Sequence, residues 1–371
     1  EVAALTADRG TTRPGLFVPD EETRITTSTR TMSVYFTDTF AVTETLDLTV
    51  AGRYNATKVK VGDRNLLNYN PALNGEHDYE RFNPAVGLTW QATETLNVYG
   101  SYSESSRAPT PVELSCASPD APCSLPNAFL ADPPLQQVVA ESWEAGLRGQ
   151  WQEIDWHLGG FWTTNKDDII FQSTGGTTGN IGFFDNIGDT LRRGIELGLA
   201  GTSFDHLAWF LNYSFVDATF DDPFLSNSPN HPLADANGNI QVQGGDRIPG
   251  IPQHTLKIGG DYAFSDALSI GGDLNYNSDQ YLRGDEANLL DTIDGYVVVN
   301  VHASYRFNEH VTILGRINNL FDTDYESFGL LGEPGEVFNG SGPGFTPAMS
   351  DPRFLGPGAP IGGWLGIKIT L

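Results

Sequence analysis

The sequence predicts an all-β fold, an antiparallel β-barrel that spans a membrane. Three observations predict it. Apolar and polar residues alternate with period two, short and long connections alternate strictly, and aromatic residues cluster beside the short turns.

The alternation runs through most of the chain. In 206–216, Leu207, Trp209, Leu211, Tyr213 and Phe215 share one face, while His206, Ala208, Phe210, Asn212 and Ser214 share the other. In 296–306, Val297, Val299, Val301, Ala303 and Tyr305 oppose Asn300, His302, Ser304 and Arg306. The same split is seen at Leu46–Tyr54, Trp143–Trp151 and Leu268–Asn275, and the chain closes with Leu365, Ile367, Ile369 and Leu371 on one face. About thirteen such segments occur, and no window of similar length carries a helical stripe.

Six connections are very short, around Val42–Thr45, Ala92–Thr95, Gln152–Glu153, Thr202–Asp205, Ser265–Ala267 and Asn308–Glu309. Long ones fall between them, around 63–78, 104–137, 165–185, 218–250, 278–292 and 324–360. Tight periplasmic turns opposite long extracellular loops produce this pattern, which a sandwich or propeller has no reason to show. Phe40, Trp90, Trp151, Tyr262 and Phe307 sit beside short turns; Tyr102, Trp162 and Tyr281 sit near the other strand ends. Two such belts match interfacial girdles, although any one aromatic fits an ordinary strand.

Composition narrows the function. A net charge of −26 repels nucleic-acid phosphates. No apolar run is long enough for a transmembrane helix, whereas a membrane strand needs only about 9–11 residues. Glu1 stands where a start methionine would, with no basic-then-apolar leader after it, so a mature or truncated product is expected. Cys116 and Cys123 lie in the Pro-rich stretch ELSCASPDAPCSLPN. An exported chain would join them in a short-range disulfide; free thiols are the other reading, and no nearby His supports a metal site.

Several stretches resemble TonB-dependent outer-membrane receptors. RINNLFDTDYESFG (316–329) is similar to their penultimate-strand motif. LRRGIELGL (191–199), GDRIPGIPQHTLKIGGDY (245–262), RFNPAVGLTW with LNVYGSYSESSRAPTPVEL (81–114) and ESWEAGLRG (141–149) fit the same pattern in the same order. The resemblance covers about residues 30–371. It implies the last thirteen or so strands of a barrel of about 22, closed in the family by an N-terminal plug. Residues 1–29 would end an extracellular loop, and 30–371 would form the C-terminal portion of the barrel. The plug and first strands are expected from elsewhere in the same protein or from a separate chain, because bilayer-exposed strand edges must be paired.

The resemblance implies transport rather than catalysis. The expected cargo is a scarce solute, foremost a ferric siderophore. Its import would be driven by the TonB energy-coupling complex across the outer membrane of a Gram-negative bacterium. A passive porin-like channel or adhesive barrel is the second reading, and a secreted soluble all-β binding protein or enzyme the third. No catalytic motif is present, the seven histidines are scattered, and no resident cofactor is expected beyond a ferric chelate as transported ligand.

Charges on the polar face are the first site candidates: Glu144, Arg148, Glu196 and Arg316, with Arg53 and Lys368 alongside. The resemblance implies that Glu144 and Glu196 meet plug arginines; lining a wet lumen or pairing within the barrel is the alternative. Phe129, Phe183, Phe184, Tyr281, Phe328, Phe338 and Phe345 are candidates for ligand contact, with plain loop packing as the alternative. DANGN (235–239) has the spacing of part of a calcium loop but lacks the later bidentate Glu, which favours an Asn-Gly turn. Asn319, Leu320, Phe321 and Asp322 form a family motif whose Asn and Asp are suited to satisfying backbone where strand gives way to loop.

Overall fold

The computed structural model describes residues 24–65, 69–120, 122–124, 134–175, 181–204, 206–333 and 351–370. Thirteen strands form one antiparallel sheet in chain order. They are β1 (Ile25–Ala41), β2 (Leu46–Asp63), β3 (Gly75–Thr93), β4 (Leu96–Arg107), β5 (Val138–Trp151), β6 (Ile154–Lys166) and β7 (Thr190–Ser203). Then follow β8 (Leu207–Phe220), β9 (His254–Ala263), β10 (Leu268–Asn277), β11 (Tyr296–Arg306), β12 (Val311–Asn318) and β13 (Gly362–Ile369). The thirteen alternating segments are thus the strands of one meander. Its first strand starts at Ile25, so Ile25–Thr29 belong to the strand ladder rather than to a loop ending at residue 29. Residues 1–23 lie outside the described residues.

Register explains the alternation. One row across the wall runs Leu48, Leu88, Gly100, Ala145, Gly160, Ile195. The next row runs Thr49, Gly87, Ser101, Glu144, Phe161, Gly194. The first is apolar throughout and the second is largely polar or small, because successive Cβ atoms point to opposite faces. On the apolar face Trp151 is 67% exposed and Leu365 85% exposed. Lipid is the solvent in which such exposure carries no penalty. Trp151, Phe40, Trp90 and Phe307 mark the turn end of this face, and Tyr102, Trp143 and Trp162 mark the loop end.

The polar face also carries large rings. Phe210 falls among polar residues by parity, and its ring covers Gly259, where a Cβ would sit 2.7 Å from the ring. Tyr99 covers Gly146, Phe161 covers Gly194, and His157 covers Gly198. Each of these rings lies against the lumen wall over a glycine of the neighbouring strand.

All six short turns close at one end, and Gln152 takes the left-handed φ of 56° that a two-residue turn requires. The long connections are more ordered than loops. Within them the hairpins Ile169–Gly175/Ile181–Asn186, Phe224–Asn227/Asn239–Val242 and Glu326–Leu331/Arg353–Pro357 form, each too short to cross a bilayer. A one-turn helix, α1 (Pro111–Leu114), is closed by a capping box between Thr110 and Glu113. It buries Leu114 against Val59, Leu135, Val138 and Ile169. A second cluster joins Ile187, Phe220, Ile240, Val242 and Ala287; a third joins Leu282, Ile293 and Leu331. These clusters tie the loops to one another as a cap.

Candidate ligand cleft and lumen surface

The cap is stapled where the connection after β4 meets the next one. Cys116 and Cys123 form a disulfide with Cα atoms 5.6 Å apart. Cys123 pairs in register with Gly182, and the Phe184 amide donates to the Cys116 carbonyl at 2.6 Å. The disulfide loop therefore grips the hairpin that carries Phe183 and Phe184.

That hairpin forms one wall of a cleft of about 410 Å³, in which four long connections meet. Phe171 and Phe184 pack edge to face, ring centroids 5.1 Å apart, and both line it. Asn227, Ser228 and Asn230 come from the connection after β8, Arg283 and Glu286 from that after β10, and Leu330 from that after β12. Of the ligand-contact candidates, only Phe184 is in this lining. Phe183 is buried opposite Gln172. Tyr281 carries the Arg247 guanidinium over its ring at 5.2 Å. Phe328 is exposed and covers Gly356. Phe129, Phe338 and Phe345 lie outside the described residues.

Beneath the cleft is a polar knot that sequence reasoning did not pick out. His231 and Asp285 are buried with Nε2 and Oδ1 3.0 Å apart. Asp285 also accepts the amides of Leu289 and Leu290, and His231 Nδ1 accepts the amide of Leu233. Glu286 accepts from the Gly284 amide at 2.9 Å and from Ser226 Oγ at 3.3 Å. Burial among the loops, reinforced by the neighbouring Asp285 carboxylate, pushes the Glu286 carboxyl above its ordinary range. The only sequence signal was a run of three charges, RGDE, inside a long loop, which has no period to betray it.

This shift has a stability consequence. With the folded value raised, the native state holds the proton more tightly than the unfolded chain. Stability then falls as pH rises from the ordinary carboxyl value through the raised one. Glu286→Gln is expected to flatten that decline and to slow amide exchange at Leu289 and Leu290 at neutral pH. Hydrogen exchange of both proteins across pH reads the effect, and parallel profiles would refute it.

The lumen charges divide into two kinds. Arg148 donates to Asn97 at 3.0 Å and lies over the Tyr99 ring at 5.7 Å. Arg316 donates to Asn318 at 2.6 Å and reaches Asp273 at 3.5 Å. Glu144 and Glu196 also face the lumen, opposite Phe161 and Gly159, but make no side-chain hydrogen bond or ion pair among the described residues.

The two short motifs serve the backbone. Asp235 accepts the amides of Asn237 and Asn239 at 2.8 and 2.9 Å, with Gly238 at φ +79°. Among the described residues no cluster of His, Cys, Asp or Glu has metal-site geometry. Asn319 is 2% exposed, donates to the carbonyls of Thr323 and Ala359, and accepts the Thr323 amide. Asp322 accepts the Ile361 amide at 2.8 Å, so the motif ties the exit of β12 to the entry of β13; Leu320 donates its amide to Val299, and Phe321 is exposed.

A wall apolar outside and polar within, with every long loop at one end, is that of a β-barrel in the outer membrane of a Gram-negative bacterium. The model of the family described as TonB dependent receptor-like, beta-barrel matches residues 4–320, and the chain belongs to that family. The probable TonB-dependent siderophore receptor PiuA of Acinetobacter baumannii is 25% identical over 244 residues, 65% of this chain and 30% of its own length. The ferric-pyoverdine BN7/BN8 receptor of Pseudomonas putida is 24% identical over 323 residues, 82% of this chain and 33% of its own. The ferric yersiniabactin uptake receptor FyuA of Yersinia pestis superposes with a TM-score of 0.67 at 15% identity, over 93% of this chain and 46% of that one. The copper transporter OprC superposes with a TM-score of 0.68 at 17% identity, over 92% and 48%. The chain spans about a third of the length of these curated relatives.

Proposed function

We propose that the chain supplies wall and loop cap to an importer of ferric siderophores, driven by the TonB energy-coupling complex. The observation that carries this reading is the cleft, where four extracellular connections converge with Phe171, Phe184 and Arg283 in its lining. Ferric chelates are large and oxygen-rich, and they suit a site with flat rings and a few polar groups. The named relatives support the cargo class. Glu144 and Glu196 are the anchors for arginines of a plug, since both carboxylates stand exposed on the lumen face with no partner among the described residues.

Growth under iron limitation with single ferric siderophores, with and without the gene, tests the importer. Rescue that persists after loss of energy coupling would point to a passive channel instead. Replacing both glutamates by glutamine is expected to lower uptake at limiting chelate about tenfold, the equivalent of about 1.4 kcal/mol, at unchanged surface level. Unchanged uptake would remove the anchoring role.

A further inference from the structure

The acids at the cleft are occupied by the protein itself, and its base is not. Asp285 is spent on His231 and two loop amides, and Glu286 on the Gly284 amide and Ser226. Arg283 differs. Its backbone is held on both sides, the amide donating to Gly329 at 3.0 Å and the carbonyl accepting from Leu331 at 2.8 Å. Its side chain is exposed and makes no hydrogen bond or ion pair among the described residues. The next residue, Gly284, has φ +95°, a conformation that L side chains rarely adopt, and its carbonyl is anchored by Ser228 Oγ at 2.7 Å. A fixed backbone thus presents one free guanidinium, across a small cleft from the Phe171–Phe184 pair.

We propose that Arg283 is the specificity-determining residue of this cleft, selecting ferric chelates of net negative charge by binding their ligand oxygens. The proposal rests on the importer reading above and adds the charge class of the cargo. The net charge of −26 on the chain would by itself favour cations, so a local cation is what an anionic cargo requires. A guanidinium offers forked donors to paired anionic oxygens, and the neighbouring rings cover the flat ligand arms. Arginine fits this task better than lysine, whose ammonium is a point donor.

Binding to the full-length receptor in outer-membrane vesicles tests this with two probes, an anionic ferric tris-catecholate and a neutral ferric tris-hydroxamate. The native protein is expected to prefer the anionic probe, with affinity that weakens as salt rises. Arg283→Ala should lose about tenfold to a hundredfold for the anionic probe and nothing for the neutral one. It should also lose the salt dependence, and Arg283→Lys should recover part of both. Surface display of each variant, with Arg283→Gln as a second substitution, separates misfolding from lost recognition. A native preference for the neutral probe, or an equal loss for both, overturns the proposal. If the native protein binds neither probe and the gene rescues no growth, it is the importer reading that fails.

Discussion

Asn319→Ala is expected to leave most of the barrel unassembled. The side chain is almost fully buried and holds three backbone groups, two of Thr323 and one of Ala359. Each buried group left unsatisfied costs about 1–3 kcal/mol. The position also has a φ of 50°, which Asn tolerates better than Ala. A loss of about 3–5 kcal/mol rivals the whole stability of many domains. The fraction of protein that stays folded in mild detergent reads the effect. Asn319→Gly relieves the backbone but restores no hydrogen bond, so it should recover only a small part. An Ala variant as stable as the native protein would show that the motif is not structural.

Gly182→Val should have the opposite profile, an intact wall with a failed cleft. A Cβ at this position would sit 2.1 Å from the Gln172 carbonyl oxygen and 2.7 Å from the Phe171 ring. Backbone on the facing strand cannot retreat cheaply, so the hairpin must part. Gly182 is also where the disulfide loop pairs, so the same change loosens the grip of Cys123. Chelate binding is expected to fall more than about tenfold, the worth of one or two good contacts, while detergent resistance holds. Binding retained at native strength would exclude Phe184 and its hairpin from the ligand site.

The wall was legible because each of its strands obeys a local rule. Leu207 and Ala208 differ in face by parity alone, and lipid on one side and water on the other enforce that parity along the whole strand. Phe210 broke the pattern, and its reason lies across the sheet at Gly259, on the neighbouring strand and far along the chain. The disulfide was readable because two cysteines in an exported loop have few other uses. The cleft was not readable. Its members come from four separated connections, and their burial is set by contacts between loops rather than by any period within one. Phe183 and Phe184 are neighbours in sequence, yet strand alternation sends only Phe184 into the cleft lining. Arg283 and Glu286 carry no more signal than other charged loop residues until the partners of each are known.

The strands also differ in length, and that sets the shape of the entrance. β2 and β3 have 18 and 19 residues, while β12 and β13 have 8 each. Beyond Tyr54 and Phe82 the outward side chains of β2 and β3 change from apolar to charged, with Lys58 and Lys60 paired to Glu76. At about 3.3 Å per residue, less the strand tilt, this charged stretch lifts the rim about 20 Å above the apolar band. The mouth is a sloping one, with a stiff parapet on the β2–β3 side and a low sill on the β12–β13 side. The connections after β10 and β12, which bring Arg283 and Leu330 to the cleft, spring from the low sill. A bulky label on Asp78 would therefore stand on the parapet, clear of the path by which a solute descends to the cleft.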